Sequence, residues 1–427
     1  MVNQRYGSLS RLLVAAVLLA AFQVSWAQKA GQAAGAAEGK APPAPTIDAA
    51  TGKVLNEAIE LLNKEDFKGA SAKIETLKLD KLSPYERSKV EQIMFNISYS
   101  QEKYDEARGH LQKAIDAGGL NQQEVEQARY QAAQLYMQQE KYKEGAAALE
   151  EWFKTAAKPN SGAYYLLAVA YYQQGVAASG KAATDLFAKA LVPAKKAVEL
   201  MDKPQESWLA MLNALYLQRE EYKESIPVLQ QLITLGPAKK QYWTQLSSIY
   251  GQVEDYPNAL ATLQIAYNAG LVTEDSELRR LADLLLFNSV PYRGAQVLET
   301  AIEKKSVKLD EKLYEKLANC WIAAGEFDKA ISPLQKSAEL AATGDTFVRL
   351  GELQAQREDW GASITALQKG MEKGQLKDTA NAQLMLGVAY YSQKNYKDAR
   401  TFFERASQST KHKQIATSYL QAIKALT

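Results

Sequence analysis

Tyr314-Glu-Lys-Leu-Ala318-Asn-Cys-Trp321-Ile-Ala-Ala-Gly-Glu-Phe327-Asp-Lys-Ala330 decides the fold of this chain. Its bulky and small residues fall three or four positions apart, the spacing of neighbours on one helical face. An aromatic residue, two mostly polar residues and a small residue then open a second helix. The same phrase recurs as Phe67-x-x-Ala70, Tyr104-x-x-Ala107, Tyr142-x-x-Gly145, Tyr222-x-x-Ser225, Tyr256-x-x-Ala259, Tyr292-x-x-Ala295, Trp360-x-x-Ser363 and Tyr396-x-x-Ala399. With Ala190 as the fourth small residue, successive steps are 37, 38, 45, 35, 34, 36, 35, 33 and 36 residues. A period in this range, built of paired helices, means a repeat array.

Inside each unit Trp243, Leu246 and Tyr250 fit one repeat, Tyr314, Leu317, Ala318 and Trp321 a second, and Leu386, Gly387 and Tyr390 a third, with Pro237 after Leu235-Gly236. In these residues the chain resembles the tetratricopeptide-repeat family over about residues 51–410. The resemblance implies an all-α, right-handed superhelical solenoid of about ten helix-turn-helix repeats with a C-terminal capping helix over 411–427. Small residues such as Ala318, Gly351 and Gly387 let the first helix of a pair approach the second, and Leu and Tyr fill the groove between them. A single pair cannot bury its own apolar face, so neighbours must stack and the end must be capped. Between Gln414 and Leu426, the stripe Ile415, Tyr419, Ala422, Ile423 and Leu426 suits that cap. About ten extra residues, near 174–185, interrupt the fourth repeat, and Phe95 occupies the usual small position of the second.

Composition agrees with a helical array, since Gly (24) and Pro (12) are sparse among 427 residues. At the N-terminus, Arg5 and Arg11, an uncharged run from Leu12 to Phe22 and Ser25-Trp26-Ala27 read as a signal peptide over 1–27, cut after Ala27. That run reaches about 16 Å as a helix, roughly half a bilayer's hydrocarbon thickness, so no membrane span is expected in the mature chain. Residues 28–50, with Ala41-Pro42-Pro43-Ala44-Pro45, lack apolar periodicity and read as a disordered tether. The expected location is the periplasm.

Lys and Arg total 51 against 49 Asp and Glu, and removal of Arg5 and Arg11 leaves the balance even. So neutral a chain offers no electrostatic footprint for nucleic acid. Cys320 is the only cysteine, which excludes an internal disulfide, and its helical setting makes it a buried small hydrophobe. His110 and His412 are the only histidines and neither stands among metal-ligand residues, so no metal or cofactor is expected. Gly175-Val-Ala-Ala-Ser-Gly180-Lys181-Ala182 is similar to a phosphate-binding loop, but Ala182 replaces the hydroxyl residue and a helix precedes it, so a flexible interhelical insert is the expected reading. Asn96-Ile-Ser98 fits a glycosylation acceptor on a helix. No convergent acid, base or nucleophile emerges, and the chain reads as a binding protein without enzymatic activity.

Most tyrosines, including Tyr136, Tyr171, Tyr216, Tyr250 and Tyr390, fall where the family packs an aromatic into the core. Tyr130, Tyr165, Tyr172 and Tyr391 fall one or two positions away, on the side that in this family lines the concave groove, and are the candidate partner-binding residues. Such rigid aromatics anchor protein partners well. Glu254-Asp-Tyr-Pro-Asn-Ala-Leu-Ala-Thr-Leu263 and Val290-Pro-Tyr-Arg-Gly-Ala-Gln-Val-Leu-Glu299, behind a signal peptide and tether, also resemble the repeat proteins encoded alongside TonB, ExbB and ExbD systems. That resemblance implies envelope partners, TonB, ExbB or ExbD components among them, and a role in energy-coupled uptake. An adaptor for envelope assembly, in polysaccharide export or cell-wall synthesis, would use the same groove.

Overall fold

The computed structural model describes residues 46–426. The expected signal peptide and nearly all of the expected tether lie outside the described residues, and the first helix opens at Ala49. Among the described residues there are twenty-one α-helices and no strand, in ten successive pairs and a final single helix. The chain divides into two compact units, one ending at Gln231 and one beginning at Leu232.

The first unit holds the pairs α1 (Ala49–Asn63) and α2 (Phe67–Glu75), α3 (Pro84–Ser100) and α4 (Tyr104–Asp116), α5 (Gln122–Gln138) and α6 (Tyr142–Thr155), and α7 (Ser161–Ala177) and α8 (Gly180–Glu199). It ends with α9 (Glu206–Gln218) and the start of α10 (Tyr222–Leu235). The second unit holds α11 (Lys240–Gln252) and α12 (Tyr256–Asn268), α13 (Asp275–Phe287) and α14 (Pro291–Glu303), and α15 (Glu311–Ala323) and α16 (Phe327–Leu340). It continues through α17 (Asp345–Gln356) and α18 (Trp360–Lys373), α19 (Thr379–Ser392) and α20 (Tyr396–Ala406), and closes with α21 (Lys413–Leu426).

One turn chemistry joins nearly every pair. The first helix ends on a residue with positive φ: Glu65, Glu102, Glu140, Glu220, Glu254, Ser289, Gly325, Glu358 or Lys394. The next N–H then reaches back five residues, as in Asp66 to Leu61 (2.9 Å), Lys103 to Ser98 (2.9 Å) and Asp255 to Tyr250 (2.8 Å). This satisfies carbonyls that the helix end would otherwise leave open. The same short segment caps the second helix, where Asp66 accepts from the Gly69 N–H at 2.9 Å and Asp359 from the Ala362 N–H at 3.1 Å.

The crossing point lies twelve residues apart in each regular pair. Ser247 donates to the Ala259 carbonyl, and Ser363 to the Gly351 carbonyl, both at 2.8 Å. A Cβ on Gly351 would come within 2.6 Å of Leu367, and one on Gly387 within 2.7 Å of the Phe403 ring. The turn at Ser289 shifts the seventh repeat by one position from the Tyr292-x-x-Ala295 reading. Pro291 starts α14 and Gly294 makes the crossing, where a Cβ would meet the Ala282 carbonyl oxygen and the Cys320 sulfur at 3.2 Å each. Ala295 is buried but belongs to the next row of the core. Leu263, Leu281, Leu298, Leu313, Trp321 and Leu334 join one continuous core of the second unit, each fully buried aliphatic side chain contributing about 1.5–3 kcal/mol.

Two expectations are corrected. The extra residues of the fourth repeat form no flexible insert: they continue as helix in α7 and α8, 17 and 20 residues long, joined by Ala178 and Ser179 alone. Gly175 allows this, since a Cβ there would lie 2.7 Å from the Phe187 ring. At the cap, α21 turns Ala416 and Ile423 into the core with Tyr419 and Leu420, while Ile415 and Leu426 are more than half exposed. The expected stripe holds at Ile423 and at Tyr419, which lies flat against Phe403 with centroids 4.6 Å apart, while Ala416 takes the core position expected of Ile415.

Replacing Gly387 with Val is expected to cost about 1–3 kcal/mol by overpacking against Phe403, read as a lower urea midpoint by circular dichroism. Asp378 fixes the cap: it accepts from Lys411 at 2.9 Å, from His412 at 3.0 Å and from the Asn381 N–H at 2.9 Å. Those contacts, Lys411 first, hold its carboxyl well below the usual carboxylate range. A depressed folded-state value gives stability that is present at neutral pH and lost as acid protonates the group. The melting-temperature difference between wild type and Asp378→Asn should therefore be largest near neutral pH and shrink below about pH 4; a constant difference would contradict this role.

Candidate functional site

In the first unit, α6 and α8 form the walls of a groove whose floor is α7. Tyr164 and Leu167, three positions apart on α7, share one helical face and point the same way. The groove encloses about 970 Å³ and is lined by Phe153, Pro159, Tyr164, Leu167 and Val192 among others. Val192 is 71% exposed, a large apolar side chain on an open wall.

An aromatic ladder supports this floor. Tyr130 on α5 packs on Trp152 (4.9 Å between centroids), Trp152 on Phe153 (5.1 Å) and Phe153 on Tyr164 (4.7 Å). The Trp152 indole is oriented by donating to the Glu126 carbonyl at 2.9 Å. The lips carry balanced charge, with Lys154 and Glu151 paired at 2.7 Å and Lys196 and Glu199 at 3.6 Å. Glu150 accepts from the Tyr171 hydroxyl, and Lys189 sits 5.6 Å above that ring. Burial pushes the Tyr171 hydroxyl upward, so it remains a donor to Glu150. The combination of an apolar, rigid floor and a neutral polar rim is that of a protein-binding surface.

Of the four tyrosines singled out in the sequence, Tyr165 is buried, and Tyr130, Tyr172 and Tyr391 are half-buried among other aromatic rings. Tyr165 is 2% exposed and stacked on Trp208, centroids 4.6 Å apart and planes 10° from parallel. It is core, and its neighbour Tyr164 is the groove residue, because one helical position turns a side chain by about 100°. Tyr130 lies under the ladder, and burial pushes its hydroxyl up to about 12. Tyr172 packs on Phe187 inside the lengthened hairpin (5.7 Å), and Tyr391 lies between Tyr396 (5.6 Å) and Tyr419 (5.3 Å). Tyr171 and Tyr216 are buried and Tyr136, Tyr250 and Tyr390 half-buried, in line with their reading as packing residues.

In the second unit the first helices of successive pairs are linked by polar contacts instead. Lys316 pairs with Asp283, Arg349 with Glu315 and Asn319 (2.8 Å each), and Asn381 with Glu352 (2.7 Å). Cys320 is fully enclosed, and burial pushes its thiol up to about 11, which makes it a poor nucleophile. His110 meets Glu91 at 2.6 Å, and His412 is committed to Asp378. Among the described residues no three His, Cys, Asp or Glu side chains gather as metal ligands, and no helix is long and apolar enough to cross a membrane.

The tetratricopeptide-repeat pattern matches residues 95–152, 130–197 and 348–411, so the segment that builds the groove lies within recognised repeats. No curated protein matches the chain. Among solved structures, a tetratricopeptide repeat protein from Parabacteroides merdae is 15% identical, covering 62% of this chain and 98% of its own, with a TM-score of 0.32. MamA from Desulfovibrio magneticus RS-1 is 17% identical over 40% of this chain and 96% of its own, with a TM-score of 0.32. PilW, a type IV pilus biogenesis factor, is 12% identical over 50% and 98%, with a TM-score of 0.33.

Replacing Tyr165 with Ala is expected to cost about 3–5 kcal/mol, as for other fully buried aromatics. Urea unfolding would show this as a large midpoint shift; a neutral substitution would return Tyr165 to the partner-facing surface.

Proposed function

We propose that this chain of tetratricopeptide repeats is a protein-interaction scaffold that holds a segment of another envelope protein and catalyses no reaction. The observation that carries the proposal is the groove of the first unit, with its floor of aromatic rings packed on one another and the exposed Val192 on its wall. An apolar floor releases water when covered, and rings already held by their neighbours lose little freedom on binding. The even charge of the lips suits a partner segment that is itself close to neutral where it enters.

The signal-like N-terminus supports export to the periplasm, and the likeness of residues 254–299 to repeat proteins of TonB, ExbB and ExbD systems supports a place beside such a system. In that role the chain would hold a component of the energy-transducing complex or an uptake receptor. Crosslinking in intact cells with a tagged full-length chain, followed by mass spectrometry, tests this reading. Enrichment of TonB-system or receptor proteins is the expected result, whereas capture of polymer-export or cell-wall synthesis proteins would move the scaffold to envelope assembly.

Val192→Glu puts a charge on the apolar wall at a position that carries little packing. It is expected to reduce capture by on the order of tenfold with an unchanged circular dichroism spectrum and melting temperature. Undiminished capture would exclude this groove as the binding surface.

A further inference from the structure

We infer that the turn between α13 and α14 of the second unit docks a proline-rich, extended segment of another polypeptide, at a place separate from the aromatic groove. The turns that join paired helices allow a comparison within one chain. Two positions before the left-handed residue, the other turns carry a small or polar side chain, Gln138, Gln218, Gln252 and Gln356 among them, and this one carries Phe287. One position after it, where Asp66, Lys141 or Asn395 stands elsewhere, is Val290. Three positions after it, where Lys68, Asp105 or Lys397 stands elsewhere, is Tyr292. Phe287, Val290 and Tyr292 are 65%, 37% and 41% exposed. A turn that departs from its siblings at three positions, each time towards an exposed large apolar side chain, marks a surface that something covers.

The rings are held before anything binds. Phe287 packs on Tyr256 of α12 with centroids 4.3 Å apart, and Tyr292 stands edge-on to the buried Trp321 of α15 at 5.1 Å. Lys329 donates to the Tyr292 hydroxyl at 3.4 Å, which leaves the hydroxyl proton free to donate outward. Lys329 already pairs with Glu326 at 3.2 Å, so it calls for no anion in the ligand. The N–H groups of Ser289 and Val290 are spent on the Leu286 and Leu285 carbonyls (3.2 and 2.8 Å), and Pro291 has none. Three side chains so exposed present on the order of 300 Å², well short of the roughly 800 Å² per partner that a stable pair of folded surfaces covers. The occupant is therefore a short segment and not a second copy of the chain. No described residue lies in a strand, so there is no sheet edge to extend, and a patch confined to one turn is too short for an amphipathic helix. A polyproline II segment fits what is left. Its prolyl rings lie on aromatic faces, its unpaired carbonyls can accept from Tyr292, and it loses little entropy because its form is already fixed.

The test titrates full-length protein into fluorescein-labelled decaproline, with a labelled Gly-Ser peptide of the same length as control, and reads binding by fluorescence anisotropy. Saturable binding of decaproline alone is expected. Phe287→Gln and Tyr292→Lys install residues that sibling turns carry, as at Gln252 and Lys397. Each should keep the wild-type circular dichroism spectrum and melting temperature while weakening decaproline binding by on the order of tenfold. Val192→Glu, in the groove of the first unit, should leave decaproline binding unchanged. Replacing Pro42, Pro43 and Pro45 together with Ser should also leave it unchanged; tighter binding by that variant would make the chain's own proline stretch the occupant and overturn the assignment to another polypeptide. Absence of saturable binding up to about 1 mM, undiminished binding by Phe287→Gln, or a loss in Val192→Glu instead would overturn it as well.

Discussion

Close approach of two helices at a single small residue is the contact on which the rest of this structure depends. Gly351 and Gly387 admit Leu367 and Phe403 to distances that no Cβ would tolerate, and Ser247 and Ser363 use the same proximity to hydrogen-bond across the crossing. Once the pair is closed at that point, the flanking Leu and Tyr side chains have only one place to go. The turn that precedes the crossing is equally constrained. Its left-handed residue and five-residue back-bond fix the direction in which the second helix leaves, and in six turns the residue there is Glu rather than Gly. The strain of an L-residue in that conformation, about 1–2 kcal/mol, is accepted because the helix-end carbonyls are satisfied in the same stroke.

Much of this was legible in the sequence because it is periodic. Outside the fourth repeat, the spacing of Tyr256-x-x-Ala259 and its relatives placed each turn to within a residue or two, with a one-residue slip at Pro291 because Tyr292 follows a proline that itself opens the helix. Side-chain direction was less legible. Tyr164 and Tyr165 are chemically alike and adjacent, and which of them faces the groove depends on helix rotation set by Trp208, a residue in the next pair. The insertion failed for a different reason. Gly175 and Gly180 look like loop residues, yet one is the contact point for Phe187 and the other the first residue of α8.

The two units use one repeat for different surfaces. In the first, aromatic side chains on α5, α6 and α7 build a continuous floor and the lips are charge-balanced. In the second, consecutive first helices are bridged by Asp283 and Lys316, Glu315 and Arg349, and Glu352 and Asn381, so most of the polar groups there are spent on one another. Exposed ion pairs of this kind contribute little stability each.

The central claim is that the α6, α7 and α8 groove is where another protein is held. Its most direct test is site-specific photocrosslinking in living cells, with a benzophenone amino acid replacing Val192 in one strain and the exposed Leu340 of the second unit in another. The account predicts a discrete adduct from position 192 and none from position 340. No adduct at 192, or the same adducts from both positions, would contradict it.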